Sequence, residues 1–439
     1  MISRIFAYAV CCVALPSGAA TPTSQSASAQ PSILGGTAVN VPNNGTAILR
    51  LADAILLGLA NNSKIRSAYS DRAAQKSVFR ATEERFFPKL PLNGKRIASQ
   101  NPSDQRSQTE LYPTATMQSK TGAHFSLSWN NRISQDEHEV TGRGDDTSFT
   151  VVQPPMRGAW GDIVPAPLRQ ARLNEQINRL ALKATVSDVV TQIIFTYHEV
   201  LRAQKQSQLA QEALARARRS LAYDTYRAAA GYWLESDFTG LVRAEADIEN
   251  RELALEEIEN RLDASRQPLL RLLGLDAGTK IRVVDPLKIL PVKVGVAKTI
   301  TAALKRQPAY LIQHLLAERA TIELAMAHVH ARNQDSRLIK AKKALEHDIG
   351  EGVRDLDVRW RQCEAARRSL KLARTKLEAE RKRIKKAPWD SFRMLVFESD
   401  LYDAEFARID TFIAYRNALA TLDKASGTTL ESWGIELND

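Results

Sequence analysis

The chain has 439 residues, of which 44% are hydrophobic and 25% charged, with a formal charge of +11. Aromatics are only 6%, and glycine (20) and proline (17) are few, which is low for a globular enzyme and ordinary for helical rods. The basic excess would suit nucleic acid or anionic lipid. However, 50 acidic residues are interspersed with the Lys and Arg, and no compact basic patch carries interleaved aromatics. Solvated helix faces are therefore the expectation, and nucleic acid is not an expected partner. The exception is Arg374 to Lys386, where seven cations have few acids among them and form a candidate contact surface.

Arg4 precedes an apolar run from Ile5 to Leu15, followed by Ser17, Gly18, Ala19 and Ala20. This pattern predicts an export signal over residues 1–20, with cleavage there or as late as Ala29. Cys11 and Cys12 fall within it, so the mature chain would keep only Cys363 and no internal disulfide. Residues 21–46 are rich in Ser, Thr, Pro, Gly and Asn and read as a flexible leader. A helix is expected from Ile48 to Phe86, bent near Asn61-Asn62 and ended by Pro88 and Pro91.

Residues 88–165 differ in kind. Over Thr121–Asn130, Ala123, Phe125, Leu127 and Trp129 alternate with His124, Ser126 and Ser128, and Phe149 and Val151 continue that alternation. A period of two with one polar face fits strands set between lipid and water, which makes Phe125, Leu127, Trp129, Phe149 and Val151 the candidate lipid-facing residues. The polar SQDEHEVTGRGDD between them reads as a loop, and Lys89–Lys95 and Leu111–Lys120 are candidates for additional strands.

From Pro167 the period becomes helical to about Ala230. Val186, Ile193, Val200, Leu214 and Leu221 lie on one seven-residue column, interrupted by Ser207. After a break at Gly231–Gly240, Leu241, Ile248, Leu255, Leu262 and Leu269 repeat at the same spacing. Two such columns predict an antiparallel helical hairpin with a coiled-coil seam. Residues 275–295 read as a connector, and helix resumes from Val296 to Asn333 and from Leu338 to Ala425, interrupted at Pro388, with a tail over 427–439. No later stretch is long and apolar enough for a spanning helix, so a membrane role would require a β-barrel.

The second half echoes the first. Ile55, Leu59 and Ile65 align with Ile300, Leu304 and Tyr310 at one constant offset. Asp237, Glu245, Asp247 and Gly274 align with Asp390, Glu398, Asp400 and Gly427 at a shorter one. First-repeat helices over 47–87 and 166–274 thus correspond to second-repeat helices over 296–426. The difference in offset removes from the second copy the interval that holds the strands in the first.

These features resemble the TolC-like outer-membrane efflux proteins. The resemblance is carried by LRLADAILLGLANNSKIRSAY, by APLRQARLNEQINRLALKATVSDVVTQIIFTYHEVLRAQ, by the stretch from AGYWLESDF to LLRLLGL, and by AYRNALATLDKASGTTLESWGI. It implies a fold that is mainly α with a small β portion, in which duplicated long antiparallel helical hairpins form a tunnel beside a barrel-contributing β segment. It further implies a homotrimer with a shared 12-stranded barrel in outer-membrane lipid, a periplasmic helical portion, and partnership with a periplasmic adaptor protein and an inner-membrane pump. The interhelical turns would be the periplasmic tips, carrying Gly231, Ser236, Asp237, Asp390 and Ser391 for adaptor contact. Ser236, Asp237 and Asp390 equally suit helix N-caps.

Two strands per chain would give a trimer only six, fewer than the eight of the smallest bacterial barrels. Either 88–165 supplies four strands, or the assembly is unconventional, or the channel is a degenerate non-conducting paralogue. A periplasmic coiled-coil adaptor or scaffold is the alternative of another class. Catalysis is not expected. No histidine lies in an HExxH pattern, Cys363 lacks a nucleophile motif, and GRGDD lacks the lysine and helix of a phosphate loop. No cofactor or metal is implied.

Overall fold

The computed structural model describes residues 46–101, 104–119, 123–136, 139–152, 166–229, 238–326, 334–384 and 391–437. The expected signal and most of the leader lie outside the described residues.

The first helical stretch opens as a short strand, β1 (Ala47–Leu49), and only then becomes α1 (Leu51–Asn61) and α2 (Ser63–Glu83), with a single 3-10 turn over Glu84–Phe86. The bend expected at Asn61-Asn62 is a true break. Asn62 is extended at φ −64°, ψ 124°, and its Oδ1 accepts hydrogen bonds from Lys64 N (2.9 Å) and Ile65 N (3.3 Å), so it caps α2. The same side chain donates from Nδ2 to Leu272 O at 2.8 Å, tying the break to the end of a distant helix.

That distant helix belongs to the first hairpin, made of α3 (Ala166–Ala229) and α4 (Phe238–Leu273). At 1.5 Å per residue the 64 residues of α3 reach about 96 Å. The heptad columns bury as expected: Val186, Ile193 and Val200 are fully enclosed, as is Leu269, and Leu214 packs on Ile248 with Ala217. Ser207 is buried within the column.

The second repeat comprises α5 (Val296–Arg306), α6 (Pro308–Met326), α7 (Gln334–Ile384) and α8 (Ser391–Ser426), and the one-turn α9 (Thr429–Ser432) follows. The helix expected to run unbroken from Val296 is cut at Gln307, which is extended at φ −71°, ψ 113°. Gln307 is the repeat counterpart of Asn62, so the break itself is duplicated. Its partner is duplicated too. Gly274, at φ +65°, packs so closely on Asn61 that an added Cβ would lie 2.9 Å from its backbone oxygen. Gly427, at φ +73°, packs on Arg306 and Gln307, where a Cβ would lie 2.7 Å from Gln307 Cα. Both positions need the left-handed conformation and the missing side chain together.

The connector adds one pairing that the sequence does not announce. Ile281–Val283 forms β6, parallel to β1 in the register Ala47↔Ile281. This two-stranded sheet lies in the largest core cluster, with Leu49, Val190, Ile193, Tyr197, Leu269 and Ile413. Tyr197 donates its hydroxyl to Leu49 O at 3.1 Å, closing the cluster over the strand.

Between α2 and α3 the chain forms one antiparallel sheet of β2 (Leu92–Asn101), β3 (Asp104–Gln118), β4 (His124–Asp136) and β5 (Glu139–Val152), in the order β2-β3-β4-β5. Of the alternatives the sequence leaves open, this is the one in which residues 88–165 supply four strands, with β2 and β3 overlapping the candidate strands Lys89–Lys95 and Leu111–Lys120. It corrects the loop reading of SQDEHEVTGRGDD, most of which belongs to β4 and β5. Its polarity hid the strands, since backbone pairing asks nothing of side-chain hydropathy. In the second repeat, by contrast, only residues 327–333 separate α6 from α7.

Candidate functional site

The sheet places all five candidate lipid-facing residues on one face. Phe125 pairs with Val151 and Leu127 with Phe149, and Trp129 follows two residues on. The constant register across β3 and β2 extends these pairs into rows. Met117, Phe125 and Val151 form the row nearest the helices, followed by Ala115, Leu127 and Phe149, then Leu92, Pro113 and Trp129. A bridge between Lys89 and Thr116 carries the register back, so Leu90 joins the row of Ala115. Phe149, Leu90, Leu92 and Trp129 are more than half exposed, at 66%, 75%, 69% and 52%. Apolar side chains this open make a sheet face that water does not favour. Sequence reading missed Leu90, Leu92, Pro113, Ala115 and Met117. The period-two patterns of LPL over 90–92 and LYPTATM over 111–117 were the available signal.

The opposite face is polar. Ser128 and Ser148 share a hydrogen bond of 2.7 Å across β4 and β5. On the same face Glu110 accepts from Arg132 Nε at 2.9 Å and from Gln108 Nε2 at 2.8 Å. A β-bulge interrupts the β4–β5 ladder between Ser134 and Gln135. Among the described residues, β2 and β5 each offer one edge without a partner strand.

The helices meet along two kinds of seam. Within each hairpin an apolar seam, Leu214, Ala217 and Ile248 in the first and Leu370, Ala373 and Ala404 in the second, is flanked by exposed polar pairs such as Arg218–Glu252. Between the hairpins, α3 and α8 run antiparallel and carry polar pairs among their apolar contacts. Asp188 meets Lys424 at 2.9 Å, His198 Nδ1 lies 2.7 Å from Asn417 Oδ1, and Gln206 donates to Asp410 at 2.9 Å. Burial lowers the pKa of His198 to about 4, so the imidazole is neutral at this seam. Cys363 is buried, with its Sγ 2.9 Å from Thr411 O, and burial pushes its thiol up, away from reactivity.

Of the tip residues, Ser391 is the first residue of α8, while Gly231, Ser236, Asp237 and Asp390 lie outside the described residues. The basic stretch from Arg374 is less bare than its sequence suggests. Arg374 meets Glu405 at 2.9 Å, Arg381 meets Glu398 at 3.4 Å and Lys376 meets Asp400 at 3.9 Å, all across the hairpin onto α8. The acids missing locally come from the partner helix.

No protein-family model matches the sequence, and no curated relative does. Solved structures do match. The open state of the Neisseria gonorrhoeae MtrE outer membrane channel aligns over 95% of this chain and 99% of its own, with a TM-score of 0.61 at 13% identity. The Vibrio cholerae outer membrane protein VceC aligns over 86% of this chain and 96% of its own, with a TM-score of 0.60 at 13% identity. The Campylobacter jejuni CmeC outer membrane channel covers 86% of each chain, with a TM-score of 0.59 at 13% identity. The chain has the TolC-like outer membrane factor fold. Within that fold the paired breaks at Asn62 and Gln307 mark the duplicated helical unit, and among the described residues the sheet is an insertion in the first unit alone. No helix of the described residues is long and apolar enough to cross a membrane.

Proposed function

We propose that three copies of this chain form an outer-membrane channel, a passive conduit for a tripartite efflux or type I secretion system. The observation that carries this reading is the two-faced sheet with open edges on β2 and β5, set on an outer membrane factor fold. Unpaired edges of this length invite further pairing. Four strands from each of three copies close at twelve, an even number within the range of bacterial outer-membrane barrels. The exposed row of Leu127 and Phe149 then faces lipid, and the Ser128–Ser148 face lines the lumen. The helical hairpins extend into the periplasm, where Gly231, Ser236, Asp237, Asp390 and Ser391 at the tips contact an adaptor protein that couples the conduit to an inner-membrane pump. The chain performs no chemistry of its own.

The test is fractionation followed by conductance. The full chain should enter the outer-membrane fraction, run as a detergent-stable trimer, and give discrete conductance steps in planar bilayers. A soluble periplasmic monomer would defeat the reading in favour of a scaffold. A membrane-inserted trimer that never conducts would mark a degenerate channel.

A further inference from the structure

The apolar rows of the sheet end at a defined height. Above Leu92, Pro113 and Trp129 comes a row of Gly94, Leu111, Asn131 and Asp145, in which Asn131 Nδ2 donates to Asp145 Oδ1 at 2.7 Å. The next row on the same face is Arg96, Thr109, Ile133 and Arg143. Arg96 stands on edge strand β2 and Arg143 on edge strand β5, and both are exposed. From Phe125 to Ile133 the chain advances by roughly 27 Å at ~3.4 Å per residue. At the usual barrel tilt that is about 20 Å along the axis, close to the thickness of the apolar band of a bacterial outer membrane. The first apolar row lies at the end that joins the helices, so the arginine row lies at the far boundary.

We infer that Arg96 and Arg143 form an outward-facing girdle that binds phosphate groups on lipids of the outer leaflet. The inference rests on the closed-barrel reading, because closure places the β5 edge of one copy, which carries Arg143, beside the β2 edge of the next, which carries Arg96. Arginine suits this task, since its planar fork matches phosphate oxygens and it is weakly hydrated. Among the described residues the one acid on this face nearby, Asp145, lies a row below and is engaged by Asn131. Arg132, Glu110 and Lys95 belong to the opposite face by strand alternation and cannot neutralise or reinforce the girdle. The occupant is a lipid rather than a free anion because the arginines border an exposed apolar face that acyl chains would cover.

The experiment uses the full-length trimer in phosphatidylcholine nanodiscs, with diphosphoryl lipid A as probe and inorganic phosphate as competitor. Wild type should bind lipid A in a salt-sensitive way, and millimolar phosphate should not displace it. R96Q and R143Q should each weaken binding roughly fivefold, R96K/R143K should keep the charge and recover only part of the loss, and K95Q, one residue away on the other face, should leave it unchanged. Equal binding by wild type and R96Q/R143Q trimers would overturn the girdle, as would full displacement by phosphate. A wild-type chain that forms no barrel trimer overturns the channel reading as well. A normal trimer without lipid A selectivity overturns the girdle alone.

Discussion

Asn62 serves two elements with one side chain, capping α2 through its oxygen and holding the end of α4 through its nitrogen. Asn62→Ala removes both, and a cost of about 2 kcal/mol is expected from the lost cap and the orphaned carbonyl, read as a lower denaturation midpoint. The glycines opposite the two breaks behave alike. Gly274→Ala and Gly427→Ala each force a side chain into a left-handed backbone, at about 1–2 kcal/mol. Gly427→Ala should be the worse, because its Cβ meets only backbone, at 2.7–2.8 Å, while Gly274 meets part of a side chain. Equal thermal shifts would argue against that ranking.

His198 gives a pH prediction whose sign follows from burial. Its pKa falls from 6.5 to about 4 in the fold, so the unfolded chain binds a proton in a range where the folded chain does not. Stability from this group is complete above pH 6.5, declines as pH falls toward 4, and changes no further below that. Denaturation of wild type and His198→Asn should therefore diverge in pH slope between 4 and 6.5, with the flatter profile in the variant. Parallel profiles would place the acid sensitivity elsewhere.

At the scale of elements, the sheet shows both the reach of sequence patterning and its limit. The alternation in FSLSW was legible because one face is apolar. The distal half of β4 and β5, from Ser134 to Asp146, carries polar residues on both faces and so leaves no period to detect. The helical columns were legible for a related reason: heptad spacing persists whatever the helix packs against. The breaks at Asn62 and Gln307 were unequal in visibility, since paired asparagines advertise a cap whereas Gln307 stands before a proline that also suits a helix start. The basic stretch from Arg374 misled because its counter-charges sit on α8, where only the folded hairpin brings them near. Substitution separates the sheet's two faces directly. Leu127→Arg should cost about 2–4 kcal/mol in a bilayer if it faces lipid, while Ser128→Arg next to it should cost far less. Comparing folded trimer recovered from membranes tests the assignment, and equal yields would undo it.

At the scale of the molecule, the sheet takes no part in the described cores of the helices. No residue of β2 to β5 belongs to any of the described core clusters, which are built from the helices, β1, β6 and their connectors. Deleting residues 88–165 behind a short linker should therefore keep the helical circular-dichroism signal and, on the proposed channel function, abolish outer-membrane association. Loss of both would show that the sheet also supports the helices.

By itself the sequence determined the periodic features: the helices, their seams, the duplication and the alternating apolar face. Each is written in the spacing of neighbours along one chain, and burial enforces that spacing locally. Tertiary structure decided the parts that depend on distant partners. It settled the strand number of 88–165 at four among the described residues, joined β1 to β6, and set Gly274 and Gly427 against the breaks they accommodate. Strand pairing and backbone contact are made between segments far apart in sequence, through groups that every residue shares, so no local pattern records them.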